Sequence, residues 1–392
     1  MKASTGSNSE MIPLSQRGEI RLGFRCNARC GFCYYQELLD NPVEFEPTGD
    51  ALREQLAALR TLGASEVEFT GGEPTIRPDL SSLVEYAAEL GFTNISLITN
   101  GLRISNPTYA ARLVEAGVND VLFSIHGHDA AQHDRHTAIP GSFVKILQAF
   151  TNMCDLGVRC RTTTTVTGLN HGNTEDIFAL ALSLGAACMH FAVFSPVADA
   201  QAADARFFVD YTDAAASIKR AIDRFKDHPL PPLSIKYIPF CFMQGYEQYV
   251  MNLYQQSYDP DDWNYYYSNR VRRAKSPLKR LLFDFVCLAG SVMAKEFSVP
   301  FSNGLLGMKV AGLTRLVELL RKKRLKTCRS CRYDRVCDYA WKSYLEQFGE
   351  HGFVAVPGDK IRHPAWSYVM SRYRHPGTQV RVESLQRLIE HG

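Results

Sequence analysis

Three cysteines, Cys26, Cys30 and Cys33, stand close together near the start of the chain. Three thiolates can hold a cubane iron–sulfur cluster and leave its fourth iron without a protein ligand, whereas all-cysteine clusters normally take four thiolates. The C-x3-C-x2-C spacing also differs from the paired C-x2-C knuckles of zinc sites. The pattern therefore predicts a cluster with one open coordination position. The cysteines alone leave two alternatives, a zinc site completed by a distant ligand and three unrelated buried thiols.

A second cysteine group, Cys328, Cys331 and Cys337, has the spacing C-x2-C-x5-C and lies in a polar, basic segment. Core cysteines do not explain such a segment, so it predicts a second metal centre. Thiolate spacing does not separate tetrahedral zinc from an iron–sulfur cluster, so zinc is the alternative. Three further cysteines fall in apolar segments and are predicted to be buried packing residues: Cys154, Cys160 and Cys188.

The composition is that of a globular protein with more than one domain. The chain has 392 residues, of which 45% are hydrophobic and 22% charged, and this length exceeds one ordinary domain. The net charge of +3 gives little electrostatic support for a nucleic-acid or membrane partner, and no apolar run is long enough to span a membrane. Eleven cysteines without a secretory signal in Met1–Arg17 indicate a reducing, cytoplasmic location and metal ligation rather than disulfides.

From residue 19 to about residue 194, β-rich runs alternate with helical patterns, which predicts parallel βα units of an α/β fold. The predicted strands are Ile20–Phe24, Val67–Thr70, Ile95–Thr99, Asp120–Ile125, Arg159–Thr165 and Met189–Phe194. The predicted helices are Gly49–Leu62, Pro78–Leu90, Pro107–Ala116, Ser142–Leu156 and Thr174–Leu184. In barrels of such units the carboxyl ends of the strands build the site. Polar motifs at those ends are therefore candidates.

Several of these motifs have a plausible chemistry. Gly71 and Gly72 allow the backbone to approach a ligand closely, and Glu73 can receive an ammonium group. Asn100 precedes a glycine, and the pair is equally typical of a plain turn. Four histidines follow the fourth strand, and one or two are candidate general acids or bases, although polar loop residues are the more ordinary case: His126, His128, His133 and His136.

The run Cys26–Cys33, directly after a strand and with Phe32 before the third cysteine, resembles the signature of the radical S-adenosylmethionine (radical SAM) superfamily. The resemblance is specific over residues 18–200 and looser to about residue 350. It implies a partial (β/α)6 barrel, open on one side, with a 4Fe–4S cluster on the three cysteines. In that family the open iron chelates S-adenosylmethionine, and one electron cleaves it to a deoxyadenosyl radical that abstracts hydrogen from substrate.

The resemblance also implies which residues bind the cofactor. Gly71, Gly72 and Glu73 are similar to the family motif that binds the amino group of S-adenosylmethionine. Thr99-Asn100-Gly101 closes the third strand, and relatives have a similar triplet at that position. Four residues at or after the later strand ends thus match cofactor contacts of the family: Asn100, Ser124, Arg135 and Val166. In relatives the residue at the position of Ser124 contacts the ribose, and the one at Val166 contacts the adenine.

The second cysteine group resembles the C-x2-C-x5-C-x3-C segment of SPASM and twitch extensions, which bind auxiliary 4Fe–4S clusters. Trp341 stands where that segment has its fourth cysteine. Cys241, bracketed by proline and glycine in a predicted loop, is the expected fourth ligand, and Cys287 is the alternative. The resemblance therefore implies one auxiliary cluster in a smaller, cysteine-containing C-terminal extension.

Four segments are expected: a disordered leader (1–17), the barrel core (18–198), the extension (199–360) and a helical tail (361–392). The predicted function is that of a radical SAM enzyme that abstracts hydrogen from a peptide or small metabolite, for oxidation, coupling or epimerisation. A flavodoxin or ferredoxin would supply electrons, as for relatives. A non-catalytic iron–sulfur or zinc sensor or scaffold, a methyl-transferring enzyme and a tRNA-modifying enzyme are the alternatives.

Overall fold

Seven strands form one parallel sheet in the computed structural model, which describes residues 14–33, 35, 46–194, 204–273, 277–293 and 304–361. Each strand pairs with the next in the sequence, so the carboxyl ends of all seven lie at the same edge. The strands are β1 Arg17–Arg21, β2 Glu66–Thr70, β3 Asn94–Thr99, β4 Asp120–Ser124, β5 Arg159–Val166, β6 Met189–Val193 and β7 Leu233–Lys236.

Helices connect consecutive strands, as the alternating pattern predicted. Within the sheet region they are α1 Gly49–Thr61, α2 Leu80–Glu89, α3 Pro107–Ala116, α4 Ala130–Thr137, α5 Ser142–Asp155, α6 Thr174–Ser183 and α7 Tyr211–Phe225. Local sequence sets their starts: the side chain of Thr48 caps α1, and Asn106 caps α3 immediately before a proline at the first helical position. These helices cover the outer face of the sheet.

The two faces of the sheet differ in polarity. The outer face carries Phe69, Leu97 and Phe191, which are fully or almost fully buried in the main hydrophobic core. The inner face carries charged residues: Arg161 donates to Asp120 at 2.7 Å and to Glu68 at 2.9 Å. These partners lie on other strands, so the ion pairs cross the interior of the curved sheet. The interior is therefore polar.

The remaining described α-helices and strands follow β7. They are α8 Leu253–Gln256, α9 Tyr265–Arg273, α10 Pro277–Met293, α11 Gly304–Arg321, β8 Lys322–Lys323, β9 Ala340–Trp341 and α12 Lys342–Phe348. The short strands β8 and β9 pair antiparallel, with Lys322 opposite Trp341. None of the helices in the described ranges has the length and apolarity that crossing a membrane requires.

The α/β class and the parallel sheet are confirmed, but the number of strands was predicted wrongly. Six were predicted, whereas β7 adds a seventh to the same sheet. The first strand was also placed too late: it spans Arg17–Arg21 rather than Ile20–Phe24, because its register with β2 begins at Arg17 and Glu66. The predicted leader, apart from residues 14–17, and almost all of the predicted C-terminal tail lie outside the described residues.

Candidate active site

The loop that carries Cys26, Cys30 and Cys33 follows β1 at the carboxyl edge of the sheet. Its backbone is bonded to the last turn of α4: the amide of Arg29 donates to the carbonyl of Thr137 at 3.0 Å, and the amide of Gly31 to that of His136 at 3.3 Å. The three thiols are partly buried and free of disulfides. The fold therefore holds all three cysteines in one anchored loop.

The thiols of this loop are poorly suited to carry a negative charge without a cation. Burial raises the pKa of Cys26 to about 11, and the nearby Glu73 carboxylate and Cys33 add to the rise, partly offset by a backbone hydrogen bond from Ala28. Burial also raises the pKa of Cys30 and of Cys33. Buried thiols become thiolates when a metal ion compensates their charge. The donor set therefore fits the cluster implied by the sequence.

The loop after β2 packs directly on the cysteine loop. The amide of Gly72 donates to the carbonyl of Gly23 at 2.9 Å, and that of Glu73 donates to Arg25 at 2.8 Å. A Cβ atom on residue 72 would lie 2.0 Å from the carbonyl oxygen of Arg25, and one on residue 71 would lie 2.3 Å from that of Gly23. Gly71 also has φ +141°, which favours glycine. In this chain the glycine pair permits contact between the two loops.

The carboxylate of Glu73 is buried and fully engaged within the protein. Its Oε1 accepts from the Thr75 amide at 3.1 Å and hydroxyl at 2.6 Å and from the Thr99 hydroxyl at 2.7 Å, and its Oε2 accepts from the Asn100 amide at 2.8 Å. Burial raises the pKa of Glu73, against these hydrogen bonds. Glu73 therefore positions the end of β3. The side chain of Asn100, in turn, donates to Asn27 at 2.8 Å.

The other predicted cofactor-binding residues do not all lie in one place. Ser124 ends β4 and Val166 ends β5, so both lie at the carboxyl edge near the cysteine loop. Ser124 is partly exposed, whereas Val166 is buried and accepts a backbone hydrogen bond from Phe194 at 2.8 Å. Arg135 is exposed on α4. Ser124 pairs in register with Thr163, three residues before Val166, and Val166 belongs to the hydrophobic core of the other face of the sheet. The structure therefore places Ser124 and Val166 at the ends of neighbouring strands but on opposite faces, and it shows no contact of Arg135 with either among the described residues.

Three of the four histidines after β4 are buried, so their prediction as polar loop residues was wrong for His126, His133 and His136. The ring of Phe32 meets the ring of His126 edge-on, with centroids 4.7 Å apart. Burial lowers the pKa of all three imidazoles, that of His133 to about 4. Neutral imidazoles therefore pack beneath the cysteine loop. The i, i+3 spacing of His133 and His136 was the available signal of one shared helix face.

The second cysteine group surrounds a cavity with about 360 Å³ of empty space, counting the part open to solvent. Its lining includes Cys241, Cys328, Cys331 and Cys337. Burial raises the pKa of Cys241 to about 12, and the nearby Cys331 and Cys328 contribute. Cys287 is instead buried on α10, where its carbonyl packs against α11 at Gly312. The structure therefore assembles four thiols with Cys241 as the fourth.

The surroundings of this cavity differ from a four-cysteine segment at one position. Trp341 lies in β9, and the Nζ atom of Lys322 sits 3.8 Å from the centre of its ring. Lys322 is also 3.6 Å from the carboxylate of Asp338. Among the described residues, no three His, Cys, Asp or Glu side chains approach closely enough to hold a single metal ion. Cys154, predicted to be buried, is exposed, whereas Cys160 and Cys188 are buried.

Comparison with known families identifies the domain that contains the first site. Residues 20–183 match the family model described as the Radical SAM superfamily. The chain contains a radical SAM domain. The AdoMet-dependent heme synthase of Nitratidesulfovibrio vulgaris is 29% identical over 202 residues, 52% of this chain and 53% of that relative. The PqqA peptide cyclase of Rhodopseudomonas palustris is 33% identical over 198 residues, 47% of this chain and 48% of the relative.

The chain also has the fold of a solved structure, native anSMEcpe with bound AdoMet. The TM-score is 0.52 at 14% identity, and the match covers 96% of this chain and 99% of that chain. At this identity the likeness concerns the fold alone. The chain spans about half the length of the two curated relatives. The predicted resemblance to the radical SAM superfamily is confirmed.

Proposed function

We propose that this protein is a radical SAM enzyme that cleaves S-adenosylmethionine reductively and uses the resulting radical to abstract a hydrogen atom from a peptide. One observation carries the proposal: the three cysteines of a radical SAM domain lie in one loop, fastened to the loop after β2 by the amides of Gly72 and Glu73. Such anchoring favours a preorganised cluster site.

The residues of the first site would have the following roles. Cys26, Cys30 and Cys33 would hold a 4Fe–4S cluster, with Gly71 and Gly72 keeping its loop in place. Glu73 and Asn100 would orient the strand ends that face the cofactor and, as the resemblance implies, would also contact it. Ser124, Val166 and Arg135 are proposed cofactor contacts, although Arg135 would have to swing in from its exposed position on α4. When bound, the cluster and S-adenosylmethionine supply the electron and the radical chemistry.

For the second site we propose an auxiliary 4Fe–4S cluster on Cys241, Cys328, Cys331 and Cys337. All four line one cavity, which supports a shared cluster. A tetrahedral zinc ion on the same four thiolates is the alternative, and metal analysis separates the two. Four protein ligands would leave no iron open, which favours electron transfer and a net oxidation of the substrate over substrate binding.

The peptide substrate is supported by the name of one relative, the PqqA peptide cyclase. The name of the AdoMet-dependent heme synthase supports a small molecule and keeps that class as the second candidate. In the proposed organisation, residues 18–198 hold the first cysteine group and residues 199–360 the second. β7 of the second segment completes the sheet of the first. A flavodoxin or ferredoxin would deliver the electron.

Anaerobic reconstitution tests this function. The wild-type protein should bind two clusters and form 5′-deoxyadenosine from S-adenosylmethionine when dithionite is added. The triple variant Cys26→Ala, Cys30→Ala, Cys33→Ala should retain only the second cluster and form none. A wild-type protein that binds iron and sulfide but never yields deoxyadenosine would instead be a redox sensor or scaffold, and the proposal would be rejected.

A further inference from the structure

A row of polar residues crosses the inner face of the sheet from the proposed cofactor site. The strand register pairs Ser124 with Thr163, Thr163 with His190, and His190 with Ser234. Neighbouring strands are about 4.8 Å apart, so His190 lies roughly 10 Å along the row from Ser124. The row thus leads away from the residue proposed to contact the ribose.

The side chains of this row belong to the polar interior. Arg161 crosses the interior to Glu68 on β2, and Thr163, two residues on, shares its face. His190 pairs in register with Thr163, and Ser234 pairs with His190, so both lie on that face as well. Thr163 and Ala192, which flank His190, are only partly buried. Solvent therefore reaches the residues beside His190 on this face.

His190 and Ser234 are buried without hydrogen-bond partners. They are 2% and 3% exposed, and both ring nitrogens of His190 and the hydroxyl of Ser234 have no partner among the described residues. Buried polar groups in native proteins are nearly always satisfied, and an exception calls for water or a ligand. The two side chains together offer donors and acceptors at adjacent positions of the row.

The charges around His190 are already paired, which restricts the chemistry of a ligand. Lys236 pairs with Asp262, and Arg161 pairs with Asp120 and Glu68. Arg17 pairs with Glu66 at 2.9 Å, and Arg159 pairs with Asp261 at 2.7 Å. A further buried charge would have no counter-ion, and that is costly. A ligand group here is therefore expected to be neutral.

We propose that His190 and Ser234 form a binding site inside the barrel for a neutral amide of the substrate, either a peptide group or a side-chain carboxamide. Burial, with Lys236 and Arg161 nearby, lowers the pKa of His190 well below its usual value, so its ring is neutral. One ring nitrogen then donates and the other accepts, which matches the C=O and N–H of an amide. The proposal rests on the proposed function, because it assumes that the barrel receives the substrate.

The test uses ¹⁵N-histidine-labelled, reconstituted protein with its clusters oxidised, and N-methylacetamide as the peptide-group probe. The chain has 11 histidines, and the signal of His190 is assigned by its loss in His190→Phe. N-methylacetamide should shift that signal with saturation, whereas acetate and methyl glucoside should not. A shift that grows linearly without saturation, no shift at all, or a stronger response to acetate or the glucoside would overturn the proposal.

Ser234→Ala should keep the His190 signal and weaken N-methylacetamide binding about fivefold, as expected for one lost hydrogen bond. His228→Phe, at an exposed histidine, is the matched control and should leave binding unchanged. Equal binding by wild type and Ser234→Ala would count against the site even if His190→Phe does not fold. Deoxyadenosine is assayed on the same samples. Cleavage without an amide response refutes only this inference, and an amide response without cleavage refutes only the proposed function.

Discussion

Gly72 and Arg25 approach so closely that a Cβ atom on residue 72 would lie 2.0 Å from the Arg25 carbonyl oxygen. This contact joins the loop after β2 to the cysteine loop, alongside the 2.9 Å hydrogen bond from Gly72 to Gly23. The atoms on both sides of this contact belong to the backbone, so neither can move aside by a change of side-chain rotamer. The contact makes one loop dependent on the other.

Gly72→Ala should therefore displace the cysteine loop and lose the first cluster, about half of the total iron if both sites are filled. The sheet should persist, so the far-ultraviolet circular dichroism should not change. Gly172→Ala is the control, because a Cβ atom there meets nothing within 4 Å. Iron content near the wild-type value in Gly72→Ala would contradict the proposed role of this contact.

Cys33→Ala should abolish deoxyadenosine formation, because two thiolates are too few to hold the cluster in its working geometry. The measurement is chromatography of the nucleosides formed under dithionite. Cys154→Ala, at an exposed cysteine outside both groups, should cleave S-adenosylmethionine at the wild-type rate. Cleavage that survives in Cys33→Ala would refute the assignment of this loop.

Cys241→Ala should lose the second cluster and substrate turnover, while some uncoupled cleavage of S-adenosylmethionine remains. Cys287→Ala should keep both clusters, because Cys287 lies on α10 and not around the cavity. Iron and sulfide analysis of the two variants separates the two candidate ligands. If Cys287→Ala lost the iron and Cys241→Ala kept it, the proposed ligand set would be wrong.

The stability of the protein should fall on mild acidification through His133. Burial lowers its pKa from 6.5 to about 4, so below pH 6.5 the unfolded chain binds a proton that the native state excludes. The contribution of neutral His133 to the unfolding free energy is fully present above pH 6.5 and is lost as the pH falls towards 4. Between pH 7.5 and pH 5 it amounts to about 2 kcal/mol of unfolding free energy.

His133→Leu removes this titrating group, so its unfolding free energy should depend on pH less than that of the wild type by that amount. Urea titrations at both pH values measure the difference. The variant also loses the 3.2 Å hydrogen bond from the His126 amide, which lowers stability at both pH values and leaves the pH dependence unaffected. Identical pH dependence in the two proteins would show that His133 titrates normally.

Lys322→Met should lower the midpoint potential of the proposed auxiliary cluster. The Lys322 side chain is 1% exposed and interacts electrostatically with Cys337, and a buried cation favours the more negative, reduced cluster. Removing the Lys322 ammonium group also leaves the Asp338 carboxylate without its counter-ion, and this negative charge lowers the potential further. The potential is read by electron paramagnetic resonance in the Cys26, Cys30, Cys33 triple alanine background. Lys323→Met, whose side chain is 55% exposed, should leave the potential unchanged.

The sequence predicted the barrel where residue patterns are local. The strands β2 to β6 carry β-branched and aromatic residues between glycine-terminated helices, and their positions are correct to within one residue at each end. β7 was missed because it has four residues and directly follows two prolines. α4 was missed because its sequence is polar, and its buried face exists only through tertiary packing, against the cysteine loop, α5 and the loop after β5.

For the site, too, local residue patterns were predictive and tertiary contacts were not. Cysteine spacing identified the three-cysteine loop, and the loop position of Cys241 suggested its place beside Cys328, Cys331 and Cys337. The sequence could not reveal that Glu73 directs its carboxylate into the protein, because its partners Thr99 and Asn100 belong to a different strand end. His190 gave no local signal either, since only the register of β5, β6 and β7 brings it beside Ser234.

Cys26 follows the first strand of the parallel sheet and Cys241 follows the last, each by five residues. Six inter-strand steps separate those strand ends, roughly 29 Å measured along the curve of the sheet. An extended chain covers that length in about nine residues. A peptide of that size that followed this edge of the sheet would span both strand ends, whereas a single amino acid would lie at only one of them.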